Sequence, residues 1–62
     1  MNQIREIREE QGITQVKLAE KSRLSVGYLS HLENGSRENP SYKTMSSIAK
    51  ALKKEIGEVF KL

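Results

Sequence analysis

The fold is decided by the stretch TQVKLAEKSRLSVGYLSHLENG, residues 14–35. Its first part has the periodicity of a helix, since four side chains follow the i, i+3, i+4, i+7 spacing: Gln15, Leu18, Ala19 and Ser22. Thr14 precedes them and is a suitable N-cap, because its hydroxyl can accept from a free backbone N–H. The pattern predicts a helix of about two turns.

The second part, residues 25–35, permits two interpretations. Residues 24–28 alternate between apolar and polar or small, as in a half-buried strand, whereas Leu29 and Leu32 are spaced as on one helix face. A strand would need a partner, and the chain contains no second alternating run. A helix, in contrast, would have a suitable N-cap at Ser25 and a suitable stop at Asn34-Gly35. The sequence therefore predicts a helix over residues 26–33.

Three further helices flank this pair. Residues 2–11 place Ile4 and Ile7 on one face, and Gly12 can end that helix. After a loop and Pro40, Ser41 can cap a fourth helix, whose apolar positions are Met45, Ile48, Ala49 and Leu52. Ile56, Val59 and Phe60 are assigned to a short fifth helix. The expectation is one compact, all-α, five-helix domain over residues 1–62.

Composition narrows the function. The chain has 62 residues, no cysteine, no aspartate and one histidine, so we expect no enzyme, no metal site and no cofactor. No apolar run exceeds two residues, which excludes a membrane span and a signal peptide and makes the cytoplasm the default location. A net charge of +3 favours a polyanionic partner. No pattern indicates a small-molecule ligand.

The second and third predicted helices are joined by about three residues, 22–24, which is typical of a helix-turn-helix. The order of residues from 15 onward resembles the Cro/phage-repressor (XRE) family, through Gln15, Leu18-Ala19, Leu24, Ser25, Leu29, Leu32 and Glu33-Asn34-Gly35. The resemblance implies a lambda-repressor-like domain with its motif at 15–34 and its recognition helix at 26–33. The family usually has glycine at the place of Arg23, where a positive φ costs roughly 1 kcal/mol. The turn is therefore either strained or of another shape.

The third helix supplies the candidate base contacts. Leu29 and Leu32 define its core side, so the residues of its first turn and those that point away from the core are expected to face the major groove: Val26, Gly27, Tyr28, Ser30 and His31. Val26 can touch a thymine methyl, and His31 can donate to guanine. Gly27 would allow close approach of the helix backbone to DNA.

Candidate phosphate contacts surround this helix: Gln15, Arg23, Ser25, Asn34, Ser36, Arg37 and Lys43. The resemblance implies this role for Gln15, together with bracing of the recognition helix, and for the residues just after the third helix. It also implies that Arg8 and Glu33 form a partly buried, structural ion pair.

The predicted function is sequence-specific binding of double-stranded DNA by a transcriptional regulator, a repressor acting as a homodimer on a near-palindromic operator. Leu62 is the candidate for the dimer interface. The expected source is a bacterium, phage or mobile element, with the protein on the nucleoid. The alternatives are an antitoxin and a protein–protein adaptor of the same fold.

Overall fold

The computed structural model describes residues 2–35 and 40–60, which form five helices. They are α1 (Ile4–Glu10), α2 (Gln15–Ser22), α3 (Val26–Glu33), α4 (Tyr42–Leu52) and α5 (Ile56–Val59). The predicted all-α, five-helix class is confirmed, and α3 has the predicted bounds. None of the helices in the described ranges is long and apolar enough to cross a bilayer.

Three helices begin at hydroxyl caps. The side-chain oxygens of Thr14, Ser25 and Ser41 each accept a hydrogen bond from the backbone N–H three residues later, at 3.0–3.1 Å. Each bond satisfies one of the N–H groups that a helix start leaves without an intrahelical partner. The predicted caps are therefore confirmed, and they determine where α2, α3 and α4 begin.

Three helices end in the same left-handed turn, and a fourth left-handed residue, Gly35 with φ 82°, follows α3. Gly12, Arg23 and Lys53 have φ values of 69°, 60° and 59°. At each end the next residue donates its N–H to a carbonyl five residues back, at 2.9–3.0 Å, which is the Schellman arrangement. Gly12 ends α1 as predicted, whereas Arg23 and Lys53 adopt the left-handed conformation although they are not glycines.

The apolar faces of all five helices meet in one core. Its buried members are Ile4, Ile7, Leu18, Ala19, Leu29, Leu32, Ile48, Ala49, Leu52, Val59 and Phe60. Within it, α2 packs against both α3 and α4, and α4 packs against α5. The orientation of α3 is thus set by the side chains that it buries.

The two ends of the described chain meet beside α3. The Gln3 N–H donates to the Val59 carbonyl at 2.7 Å, and Asn2 and Phe60 form an antiparallel bridge. The assignment of Phe60 to the fifth helix is wrong, because that helix ends at Val59 and Phe60 is extended, with φ −115° and ψ 90°. The extended backbone pairs with Asn2 while the Phe60 side chain stays buried.

Candidate nucleic-acid interface

α3 buries one side and exposes the other. Leu29 and Leu32 are 0% and 1% exposed, and they hold the helix on the core. Of the five residues predicted to contact bases, three are exposed: Val26, Gly27 and His31. Tyr28 and Ser30 are half-buried, and Tyr28 packs against the core cluster. The surface available to a ligand is therefore centred on the first turn of the helix and on His31.

Gly27 lies in open space on this surface. A Cβ built on it meets no described atom within 4 Å, and its φ is not in the left-handed region. Neither packing nor backbone geometry in the described chain therefore requires a glycine here. Because glycine has no side chain, a ligand can closely approach the backbone of the first turn of α3.

The turn between α2 and α3 takes the strained form that the sequence left open, a left-handed residue that is not glycine. Arg23 is left-handed, with φ 60° and ψ 39°, and its side chain is exposed. Leu24 is half-buried and packs on the core, which anchors the chain just before α3. Ser25 then accepts from the Tyr28 N–H at 3.0 Å, so its own O–H remains able to donate to an acceptor such as a phosphate.

A buried carboxylate at the end of α3 ties three helices together. Glu33, whose side chain is 0% exposed, accepts from Arg8 Nε at 2.8 Å and from Arg8 Nη2 at 3.1 Å. Arg8 also donates to the carbonyl of Ile13 at 2.9 Å. The side-chain amide of Gln15 donates to Glu33 Oε1 at 3.0 Å. These hydrogen bonds therefore hold the start of α2 and the end of α3 together, directly through Gln15 and indirectly through Arg8 of α1.

These contacts refine the role of Gln15. The sequence offered two interpretations, a phosphate contact that braces α3 and an exposed residue at a helix start. The side chain is half-buried and one of its donors is directed at Glu33. The amide keeps a second N–H and its carbonyl oxygen for other partners.

The network keeps Glu33 charged. Burial alone would raise the pKa of Glu33, but hydrogen bonds from Arg8 and Gln15 and the charges of Arg8 and Arg5 together hold that pKa below its ordinary value. The Arg8 pKa is raised, because its hydrogen bond to Glu33 outweighs the opposing effect of burial. Both groups are therefore ionised at neutral pH, as a buried pair requires.

Sequence reasoning missed two members of this region. Arg5 lies 3.7 Å from Glu33 and is 54% exposed, and its position three residues before Arg8 on α1 was a signal that could have indicated it. Asn2 donates its side-chain amide to the carbonyl of Leu32 at 2.9 Å. Asn2 also accepts from the Ile4 N–H at 3.2 Å, a local contact that an asparagine just before a helix could have indicated, whereas its bond to Leu32, 30 residues away, has no local signal.

The remaining predicted contacts are distributed around α3 or lie elsewhere. Asn34 and Lys43 are exposed, one at the end of α3 and the other in the first turn of α4. Ser36 and Arg37, predicted to contact phosphates, and Leu62, predicted for the dimer interface, lie outside the described residues. Within residues 2–35 and 40–60, no cluster of three or more metal-binding side chains is found.

Comparison with known proteins places this geometry in a family. The model of a helix-turn-helix family matches residues 4–59. The chain is 49% identical over 49 residues to an immunity repressor protein of Bacillus phage phi105, a match that covers 79% of this chain and 33% of the relative. It thus spans about a third of that relative's length.

A solved structure is similar over most of the chain. The crystal structure of the clp gene regulator ClgR from C. glutamicum superposes with a TM-score of 0.81 at 40% sequence identity. The match covers 89% of this chain and 70% of the ClgR chain.

Proposed function

The chain belongs to the helix-turn-helix family of DNA-binding transcription regulators, and we propose that it reads operator DNA by placing α3 in the major groove. The observation that carries this proposal is the exposed first turn of α3 beside an ordered, glycine-like turn at Arg23. In a helix-turn-helix, the N-terminal residues of the second helix make the base contacts. Membership of this family agrees with the expectation that the chain is not an enzyme.

The base contacts are assigned to the exposed side of α3. Val26, 39% exposed, meets a thymine methyl, and His31 donates to guanine N7 or O6. Gly27 lets the helix backbone approach the bases closely. Tyr28 and Ser30 reach the DNA with the parts of their side chains that the core leaves uncovered. The Tyr28 hydroxyl suits a phosphate.

Phosphate contacts flank the recognition helix on both sides. We assign them to three residues that precede α3, Gln15, Arg23 and Ser25, and to four residues that follow it, Asn34, Ser36, Arg37 and Lys43. Contacts of this kind fix the register of a protein on the duplex and carry no sequence information themselves. The network around Glu33 supports the assignment, because it holds the start of α2 at a fixed place relative to α3.

Repression by a homodimer is the finer part of the proposal. One such domain reads half a site, and a two-fold dimer places two recognition helices about 34 Å apart on a near-palindrome. The relative from phage phi105 is an immunity repressor and ClgR is a gene regulator. By analogy, this chain acts in a bacterium, phage or mobile element by occupying an operator.

Selection of duplexes from a random pool tests base readout. The bound sequences should converge on a half-site repeated with two-fold symmetry. In Val26→Ala and His31→Ala the preference should relax at one position each, with a loss of about 1–3 kcal/mol for the preferred base pair. Lys54→Ala, an exposed lysine after α4, is the matched control and should keep the consensus.

Salt dependence tests the phosphate contacts. Affinity for duplex DNA should fall steeply as salt rises, because neutralised phosphates release counterions. Lys43→Ala should weaken binding to all sequences and lower the salt slope by about one. An unchanged consensus in Val26→Ala and His31→Ala would refute the assigned base contacts, and no binding to any duplex at low salt would favour the adaptor function instead.

A further inference from the structure

A basic cleft lies between the end of α2 and one side of α4. Its volume is about 570 Å³, within the range of small-molecule sites. The turn after α2 forms one wall, and three successive turns of α4 form the other. We define the basic cleft by its four cationic side chains, Lys21, Arg23, Lys43 and Lys50.

The charge of the basic cleft is uncompensated in the described part of the chain. No acidic side chain is among its lining residues. The ion pairs of residues 2–35 and 40–60 join Arg5 and Arg8 to Glu33, and none involves a lysine of the cleft. Four cations around one concavity concentrate positive potential there, which favours an anionic ligand over a neutral one.

Hydroxyl groups add a directional element. Ser22 lines the cleft and is 4% exposed, and its Oγ is the buried side-chain polar atom of the described residues that has no hydrogen-bond partner. Such a group is costly unless a ligand or water completes its hydrogen bonds. Thr44 and Ser47 also line the cleft. Thr44 Oγ1 accepts from Ser41 at 3.0 Å, so its own O–H is left to donate.

The dipoles of the two helices whose ends line the cleft do not disfavour an anion. Lys43 and Thr44 lie in the first turn of α4, where the helix dipole is positive. The end of α2 is negative in principle, but the carbonyls of Ala19 and Glu20 already accept from the turn, at 2.9 and 3.2 Å. The partial negative charge facing the cleft is therefore reduced.

We propose that the basic cleft binds a small anion that carries two or more phosphate groups. Lys43 and Lys50 are seven residues apart on α4, which corresponds to about 10 Å along the helix axis. The four cationic side chains outnumber the roughly two negative charges of one phosphate group, so a diphosphate or a bisphosphorylated small molecule matches the charge of the cleft better. Leu24 and Ala51 supply the apolar part of the lining, and no aromatic side chain is present among the lining residues for stacking on a base.

A phosphate of the DNA backbone has the same chemistry as the proposed free anion, so binding of DNA in the cleft must be tested separately. The cleft is lined by α2, the turn and α4, and no residue of α3 lines it. A ligand in the cleft therefore need not touch the surface assigned to base contacts. The free-anion proposal does not depend on the proposed function, whereas the DNA measurement does.

The first measurement is titration of the full chain with pyrophosphate, without DNA, followed by amide chemical shifts in NMR and by calorimetry. Binding should saturate, with the largest shifts at Ser22, Leu24, Thr44 and Ser47. Lys50→Gln and Lys21→Gln should each weaken it by up to about fivefold. Lys54→Gln removes the same charge outside the lining and is the matched control, with affinity unchanged.

A neutral substitution separates a built site from a basic surface. Ser22→Ala keeps every charge, and it should weaken pyrophosphate binding about tenfold by removing a hydrogen bond to a charged group. Without ligand its melting temperature should not fall, since the hydroxyl has no partner in the protein. Equal weakening by Lys50→Gln and Lys54→Gln, or no effect of Ser22→Ala on affinity, would overturn the proposal.

The second measurement distinguishes the source of the phosphate. DNA affinity and its salt slope are first measured for the parent chain, which tests the proposed function on its own. They should be the same in Lys50→Gln as in Lys54→Gln. If pyrophosphate does not saturate and Lys50→Gln alone lowers the DNA salt slope by about one, the cleft holds the DNA backbone and the free-anion proposal is wrong.

Discussion

Arg23 occupies a backbone conformation that favours glycine, and Arg23→Gly is expected to stabilise the domain. Its φ of 60° and ψ of 39° lie in the left-handed region. Both hydrogen bonds of the turn are made by backbone groups, from Arg23 N–H to the Glu20 carbonyl and from Leu24 N–H to the Ala19 carbonyl. The side chain is exposed, so its removal takes nothing from the core.

The magnitude follows from two opposing effects. A residue with a Cβ in the left-handed conformation costs roughly 1–2 kcal/mol. Glycine loses more chain entropy on folding, which costs roughly 0.5–1 kcal/mol. The net gain for Arg23→Gly is about 0.5–1 kcal/mol. At about 2.1 cal/mol/K of unfolding entropy per residue, this raises the melting temperature by roughly 4–8 °C.

Thermal unfolding followed by circular dichroism measures the gain, and two variants separate its causes. Lys53→Gly changes a residue with φ 59° at the end of α4 and should give a similar rise. Arg23→Ala removes the charge while keeping a Cβ in the strained conformation, so its melting temperature should change little. A fall in Arg23→Gly, or an equal rise in Arg23→Ala, would refute the reasoning about the turn. DNA affinity should fall in both Arg23 variants, because both lose the proposed phosphate contact.

Three further outcomes are expected. The lowered pKa of Glu33 means that its ionised form stabilises the folded state above its ordinary pKa of about 4.5, and this contribution is lost as pH falls through the lowered value. Urea unfolding should therefore show Glu33→Gln less stable than the parent at pH 7, with the gap closing as the pH falls below about 4.5. Arg8→Ala should cost up to about 3 kcal/mol in the same assay, since it leaves the buried carboxylate of Glu33 with only the Gln15 amide and the more distant Arg5, whereas Arg5→Ala should cost under about 1 kcal/mol. Gly27→Ala should stabilise α3 by roughly 0.5–1 kcal/mol and weaken DNA binding; unchanged affinity in a band-shift titration would contradict the close approach of this residue to DNA.

The expected behaviour of Arg23 and Gly27 has a common physical basis. Each is a place where stability and the proposed DNA contact make opposite demands on the side chain. At Arg23 the chain carries a cation where glycine would be less strained, and at Gly27 it lacks the side chain that would favour a helix. Local deviations of this kind concentrate at functional sites, which is why both residues are informative about the interface.

The features predicted correctly from sequence are local ones. The bounds of α3 follow from Ser25, whose hydroxyl caps a backbone N–H three residues away, and from a stop at Asn34-Gly35. The spacing of Leu29 and Leu32 determined which side of α3 is buried. Such patterns act over one or two helical turns, so they can be read without knowing where the rest of the chain lies.

The features that the sequence left open depend on distant partners. The turn at Arg23 is left-handed although an arginine disfavours that conformation, and Leu24, the next residue, packs on the core. Gln15 is half-buried because Glu33, 18 residues away, accepts its amide. Phe60 leaves the fifth helix because Asn2 pairs with it from the other end of the chain.

The sequence by itself determined the five helices, their caps, the buried faces and the resemblance that led to the helix-turn-helix family. Only the tertiary structure decided how much of Tyr28 and Ser30 remains exposed, how Glu33 is held, and that four cations and the Ser22 hydroxyl line one cleft. The physical reason is the separation along the sequence over which each interaction acts. Capping and helical periodicity are fixed by neighbours within a few residues, whereas this cleft and this buried ion pair exist only because packing brings together residues that are 19 or more apart.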